Sequence, residues 1–576
     1  MYERLEPRRL LSISLSNGTL AIAGTAADDV IDVNVRGGFY RVFDGTVARR
    51  FALGSVKRLT IDAAGGNDRV TLNDPFAPLY GRASFPSGVP TDKPVNARVF
   101  GGDGDDTITS GGGSDTLDGG RGNDRIAGQG GADVYAGGEG ADTADFAGHS
   151  AGVKVTLDDV ANDGPVGGGE PQPGDANDPT FIFWPFQDNV ASDIENLAGG
   201  DGNDTLTGDA RGNAISGGGG VNVLSGGDGN DTIVSAASGV DDMSGGAGSD
   251  VADYSSRASF DPVVIVLDDL ANDGQPSPFD AAAGERDNVH SDIENVWGGA
   301  GDDRIVGGKK NNVFAGGRGN DTLLGGGGSD ILIGDRGNDV LNGGRNDADL
   351  MRGGAGNDTA DYSGRGDALE ITIDGIANDG YARLTSNNQV LPREGDNVGL
   401  DIENIIGGGG ADVISGSSAG NALVGGAGDD TLHGFGGRDL LRGGDGADRM
   451  TGGGPSQFTA VAEQTGRPDD GLADTLIGGR GVDYAVDFDV IDVINLDVER
   501  GRAIGITTRL GAVGGDTTGW AIRRGDNDIL LDVATNSFTA QARKNVGNLN
   551  AAEGPLKRVS FTELGERWVI VVDAMV

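Results

Sequence analysis

The chain contains no cysteine, so neither a disulfide framework nor a thiol-based site is open to it. Histidine is almost as scarce. His149, His290 and His433 stand far apart, and there is no His-Glu-x-x-His helix to hold a catalytic zinc. Aromatic residues make up 5% and all hydrophobic residues 36% of the 576 positions. That is too little for a thick core, so burial must take the form of a thin ladder of Ile, Leu and Val. Basic side chains number 44 against 89 acidic ones, for a net charge of −45, and no basic face is left to attract nucleic acid. No apolar run reaches the length of a membrane span.

Glycine, with 108 residues, and aspartate fill the space these absences leave. Residues 1–60 carry nine basic and six acidic side chains and residues 501–576 carry nine and eight, which places about −49 on the stretch between. Without cations such a stretch repels itself and stays expanded. Its organising segment is Gly101–Asp145, five nine-residue units in unbroken register: GGDGDDTIT, SGGGSDTLD, GGRGNDRIA, GQGGADVYA and GGEGADTAD. Asp106, Asp115, Asp124, Asp133 and Asp142 hold position six. Ile108, Leu117, Ile126 and Tyr135 hold position eight, which Ala144 weakens in the last unit.

The glycines permit a tight turn with positive φ and leave backbone carbonyls uncovered. The three residues after each Asp suit a short strand whose middle side chain points inward. Each unit therefore reads as half a coil of a two-sided parallel solenoid, and residues eighteen apart stack on one side. Asp106, Asp124 and Asp142 form one column, and Asp115 and Asp133 the other. Carboxylates stacked about 4.8 Å apart repel unless a cation lies between them. Hard oxygen donors on a carbonyl-lined turn suit calcium.

At these residues the chain resembles the RTX (haemolysin-type) calcium-binding nonapeptide proteins. The resemblance implies that the carbonyls of positions one and three and the carboxylate of position six hold calcium between turns eighteen residues apart. One such site would combine Gly101, Asp103 and Asp106 with Gly119, Arg121 and Asp124. Three later stacks repeat the pattern over about 199–253, 298–361 and 407–486. Their position-six residues include Asp204, Asp231 and Asp250, then Asp303, Asp321, Asp330, Asp339 and Asp358, then Asp412, Asp430, Asp439, Asp448 and Asp483.

A longer repeat of about 100 residues encloses the short one. Asp-Phe or Asp-Tyr follows each of the first three stacks, then an alternating strand (VKVTL, VVIVL, LEITI), Ala-Asn-Asp-Gly, a variable loop, Asp-Asn-Val and Asp-Ile-Glu-Asn. The expected organisation is a targeting-like segment at 1–18 and a β-rich cap with eroded repeats at 19–100. Stacks with connecting segments follow at 101–198, 199–297 and 298–406, then a fourth stack at 407–486 and a β-rich cap at 487–576. Leu5–Leu11 resembles the LEPR-x-LL motif of large planctomycete surface and secreted proteins, which points outward from the cell. Asn17-Gly18 reads as a hairpin turn.

Gly148-His149-Ser150-Ala151-Gly152 matches the Gly-x-Ser-x-Gly nucleophile elbow, but it precedes a strand where that motif needs a helix. The aromatic loop Phe181–Phe186 reads as flank packing, with a patch for a partner or glycan as the other reading. The recurring carboxylates Asp163, Asp193 and Glu195 and their counterparts fit additional calcium or strand-end turns equally. Counting back in nines from Gly199 makes Val190–Ala198 a degenerate unit with Glu195 at position six, facing Asn213 one coil on. Glu294 with Asn312 and Glu403 with Asn421 repeat that pairing, and an amide-to-carboxylate hydrogen bond is expected there without an ion.

The expected fold is an all-β parallel solenoid, and the expected protein is a calcium-binding, non-enzymatic, extracellular or cell-surface component. Calcium ions are its cofactor, and surface glycans or envelope proteins are its candidate partners. The alternative is a repeat-mounted enzyme or toxin, such as a haemolysin, polysaccharide lyase or epimerase.

Overall fold

The short extended piece of every nonapeptide forms a strand, and successive strands go to opposite sheets. The computed structural model describes residues 11–44, 47–73, 95–166, 187–236, 239–275, 286–381 and 394–452, with strands only beyond residue 474. Thr116–Arg121 lies parallel between Ala97–Asp103 and Val134–Glu139, with Thr116 opposite Val134. Arg125–Ala127 lies between Thr107–Thr109 and Thr143–Asp145 on the other face, with Arg125 opposite Thr143. Both registers are eighteen residues, so the two-sided parallel solenoid is the observed fold. Single extra residues widen the step to nineteen where Val223 pairs with Asp242 and Ile331 with Leu350.

Position eight supplies the core. Ile108, Leu117, Ile126, Tyr135 and Ala144 are fully buried, as are Leu206, Ile215, Leu224 and Ile233 further on. Each large one contributes about 1.5–3 kcal/mol. The turns need glycine because coils pass so closely. Gly120 has φ +110°, and a Cβ on it would stand 2.2 Å from the Gly102 carbonyl oxygen.

The chain divides into two compact units, residues 1–297 and 298–576. The first unit opens with the antiparallel hairpin Ser12–Ser16 and Thr19–Thr25, turning at Asn17 and Gly18, both at positive φ. Two sheets then rise together until the first long connection. There Asn189–Val190 adds the last strand to one sheet, while Val153–Thr156 starts a new one that continues through Thr205–Thr207. The opposite face runs on unbroken, Thr143–Asp145 pairing with Asn196–Ala198 and that with Ala214–Ser216. The long repeat therefore ends one face and begins another.

The second unit repeats the exchange. Asn397–Val398 ends the face containing Leu350–Ala355, and Leu369–Thr372 begins the face that continues with Val413–Ser415. Thr475–Arg480 and Val493–Leu496 add parallel strands, after which pairing becomes antiparallel with Arg567–Asp573. Four further strands between Ala503 and Ala542 form a separate antiparallel sheet. No helix among the described residues is long and apolar enough to cross a membrane.

Candidate metal centres along the aspartate ladder

Along the described stacks the position-six side chains reach back to the coil before them. The Asp106 N–H donates to Asp124 Oδ1 at 2.7 Å, and Asp124 N–H to Asp142 Oδ1 at 2.8 Å. On the other side Asp115 N–H donates to Asp133 Oδ1 at 2.8 Å. The later stacks build the same ladder: Asp231 to Asp250, Asp303 to Asp321, Asp321 to Asp339, and Asp339 to Asp358. Asp412 donates to Asp430, Asp430 to Asp448, and the N–H groups of Asn312 and Asn421 donate to Asp330 and Asp439. Asp204 opens its own column by accepting the Val153 N–H at 2.7 Å. Asp483 and the aromatic loop Phe181–Phe186 lie outside the described residues.

The second carboxylate oxygen divides the turns into two kinds. In the open kind, Oδ2 is buried with no hydrogen-bond donor, as at Asp106, Asp124, Asp142, Asp231, Asp321 and Asp430. Position two of these turns has positive φ, for example Gly102 at +119° and Gly426 at +112°. In the closed kind, the position-two N–H turns inward and donates to Oδ2. Thr25 does so to Asp29 at 2.6 Å, Gly200 to Asp204 at 2.8 Å, Gly299 to Asp303 at 2.7 Å and Gly408 to Asp412 at 2.8 Å. Asp204, Asp303 and Asp412 are the first position-six carboxylates of the three later stacks, and Asp29 lies in the first eroded repeat of the N-terminal cap.

An unpaired buried carboxylate oxygen calls for a proton or a cation. Position one supplies the rest of the cradle. A Cβ on Gly101 would stand 2.3 Å from Asp106 Oδ2 and 2.4 Å from the Gly119 carbonyl, so only glycine leaves that space free. Gly226 with Asp231, and Gly425 with Asp430, repeat the arrangement. The side chains of Asp103 and Arg121 point to solvent, 3.8 Å from each other, and their turns contribute backbone carbonyls. The Arg121 carbonyl accepts the Gly104 N–H at 2.6 Å and keeps its second lone pair. Among the described residues no three His, Cys, Asp or Glu side chains converge as a metal cluster. That is the expected result where main-chain carbonyls make up the donor set.

Burial raises the carboxyl pKa values against opposing main-chain hydrogen bonds: to about 6 at Asp124, Asp142 and Asp231, and to about 7 at Asp321, Asp330 and Asp430. The all-oxygen donor set, its orphaned carboxylates and its glycine cradles fit a hard divalent cation. The family model of the RTX calcium-binding nonapeptide repeat (4 copies) matches residues 96–126, 109–144, 198–233, 216–252, 297–332, 324–360, 399–432 and 415–450. These are RTX calcium-binding repeats. No curated protein matches the chain.

The RTX ladder holds more members than the spacing shows. Asp29, Asp68, Asp188, Asp241, Asp287, Asp349 and Asp396 are rungs too, since each accepts a main-chain N–H from a neighbouring coil or donates its own to the next carboxylate. Inserted residues or eroded glycines hide them from a strict nine-residue count. A second, exposed ladder runs the opposite way through position five. Asp105 N–H donates to Asn67 Oδ1, Asn123 N–H to Asp105 Oδ1 and Ala141 N–H to Asn123 Oδ1. Its signal was the recurrent Asn or Asp before the position-six Asp.

The junction segments correct two expectations. Val190 is not position one of a nonapeptide. It pairs with Tyr135 as a core residue, seven positions before Leu197, so the turn between them is two residues short. Glu195 still forms the rung, accepting the Asp142 N–H at 2.9 Å, because its extra methylene reaches where Asp would not. Asn213 and Asn421 donate their amides to the main-chain carbonyls of Glu195 and Glu403, at 2.8 and 3.0 Å, rather than to the carboxylates. Each amide oxygen closes its own turn, accepting from Asp209 or Ser417 N–H.

The Ala-Asn-Asp-Gly carboxylates are engaged as turn acceptors. Asp163 takes Thr156 N–H and Val190 N–H, and Asp273 and Asp379 repeat both bonds. Asp193 accepts the N–H groups of Gly137 and Gly138. In the second and third long repeats a buried Arg stacks on a buried Tyr, Arg257 on Tyr254 and Arg365 on Tyr362, each 5.3 Å from the ring centre. Tyr254 donates to Asp287 and Tyr362 to Asp396. In the first repeat Phe146 and His149 stand in those places. His149 Nδ1 lies 3.1 Å from the Phe146 carbonyl, so the Gly148–Gly152 motif is a packed turn between two strands.

Proposed function

We propose that this chain is a secreted or cell-surface calcium-binding repeat protein that folds on meeting extracellular calcium and serves as a structural, spacer or adhesive component. The observation that carries the reading is the row of buried, unpaired Oδ2 atoms in the open turns. Charged and without a partner they oppose folding; with cations between coils they hold it together. Extracellular calcium modules work at about 10⁻⁴ to 10⁻³ M, far above free calcium inside a cell, so the fold forms after export.

Two features support a non-enzymatic role. The Gly148–Gly152 nucleophile-elbow match packs as a turn beside Phe146, and the recurring acidic residues of the long repeats are engaged by main-chain N–H groups. The test is a calcium titration of chelated full-length chain, followed by circular dichroism and small-angle scattering. Calcium is expected to contract the chain and raise its β content, and magnesium to do so far less because it resists dehydration. A chelated chain with the same radius and spectrum contradicts the proposal.

A further inference from the structure

The first junction departs from the RTX template at three positions of one turn. Gly208–Ser216 reads GDARGNAIS, with Asp209 at position two, Arg211 at position four and Asn213 at position six. Asn213 has already given up the carboxylate. Arg211 reaches across to the coil below. Its guanidinium donates to the carboxylate of Glu195, to the Ser192 carbonyl, and to the Ile194 carbonyl at 2.9 Å. Asp209 Oδ2 fixes the fork from the other side, accepting from Nε at 3.0 Å and Nη2 at 2.8 Å.

A position-six carboxylate together with turn carbonyls is the kind of donor set the other rungs offer to a metal. We propose that Arg211 is a built-in cation that replaces calcium at this rung, so that the junction closes without metal and calcium is excluded from it. The inference rests on the RTX repeats binding calcium elsewhere in the chain. Arg suits the task because its charge is permanent and its planar fork engages carboxylate and carbonyls together. Asp209 does the positioning. It stands where the template has glycine, and its main-chain N–H also closes the turn onto Asn213 at 2.8 Å.

The third junction is the internal control. There the Asn421 amide donates to the Glu403 carbonyl and Ser417 closes the turn, as in the first, but position four is Ala419. No cationic side chain is supplied by that position, so the Glu403 rung stays available to calcium. In the second junction Lys310 occupies position four of the sequence.

The experiment counts calcium ions bound per full-length chain by equilibrium dialysis at saturating calcium. It compares wild type with Arg211→Gly, Arg211→Lys and Ala419→Arg. Arg211→Gly restores the template residue and is expected to bind one ion more than wild type. Arg211→Lys keeps the wild-type count, and Ala419→Arg binds one ion fewer. In chelator, hydrogen exchange of the Ala214–Ser216 strand is expected to be faster in Arg211→Gly and to recover when calcium is added. An unchanged count in Arg211→Gly, or failure of that variant to fold even in calcium, overturns the inference, as does an unchanged count in Ala419→Arg. A wild-type chain that binds no calcium contradicts the calcium reading itself and removes this inference with it.

Discussion

The turns Gly119–Asp124 and Gly199–Asp204 have nearly the same sequence, GGRGND and GGDGND, and fold differently. In the first, Gly120 lies at φ +110° and Asp124 Oδ2 is buried without a donor. In the second, Gly200 is outside the left-handed region and its N–H closes onto Asp204 Oδ2. What differs is the coil beneath. Asp124 stands on another nonapeptide turn, whereas the Asp204 turn stands on the segment His149–Val153, with Asp201 N–H on the His149 carbonyl and Val153 N–H on Asp204. A metal centre in this fold is therefore a property of two stacked turns. A lone turn satisfies itself.

The sharpest way to test that comparison is Asp124→Asn against Asp204→Asn. Asp124 faces Asp106 and Asp142 on either side, so the open-turn variant is expected to lose calcium at two rungs and to need several-fold more calcium to fold. Dialysis counts and folding midpoints in calcium read both effects. Next in size is the junction. Arg257→Ala leaves Asp287 and Asp261 buried beside an empty place, since their side chains are 0% and 9% exposed. A loss of about 3–5 kcal/mol is expected in denaturant melts at saturating calcium. His149→Ala, at the equivalent position of the first junction, is expected to lose far less.

Acidity should act oppositely on the metal-free and calcium-loaded chains. Burial lifts the folded carboxyls to about 6 at Asp124 and about 7 at Asp321 and Asp430, from an ordinary 3.8. A raised carboxyl pKa means that protonation favours the fold. That contribution is complete below about pH 4 and is lost as pH rises through 6 to 7. In chelator, β content is expected to grow from pH 8 to pH 5, while in calcium the midpoint concentration rises over the same interval as protons displace the ion. A chelated chain most ordered at pH 8 would count against buried, uncompensated carboxylates. The smallest effect is Asp204→Asn. Asn213 shows that an amide closes the same kind of turn, so calcium stoichiometry should hold, with about 1–3 kcal/mol lost through the Val153 N–H.

Much of this could be read from the chain itself. Position eight at Ile108, Leu117 and Ile126 dictated the core, and the eighteen-residue step placed Asp106, Asp124 and Asp142 in one column. Asn17-Gly18 marked its hairpin. Other features were hidden for physical reasons. Single inserted residues displaced Asp241 and Asp349 from the nine-residue count although hydrogen bonding keeps them in the ladder. The short turn before Leu197 put Val190 in the core because strand pairing with Tyr135 outweighs the spacing pattern. Open and closed turns share a local sequence, so only the neighbouring coil distinguishes them. Nothing in the nine-residue pattern marks Arg211, because only folding places Glu195 and two carbonyls around it.

Anomalous scattering from crystals grown in calcium would test the two-turn rule most directly. Ion peaks are expected against Asp106, Asp124 and Asp142 Oδ2, where open turns stack on open turns, and none between Glu195 and Asn213, where Arg211 lies. Peaks at the Arg211 rung, or open turns without ions beside closed turns that hold them, would contradict the account.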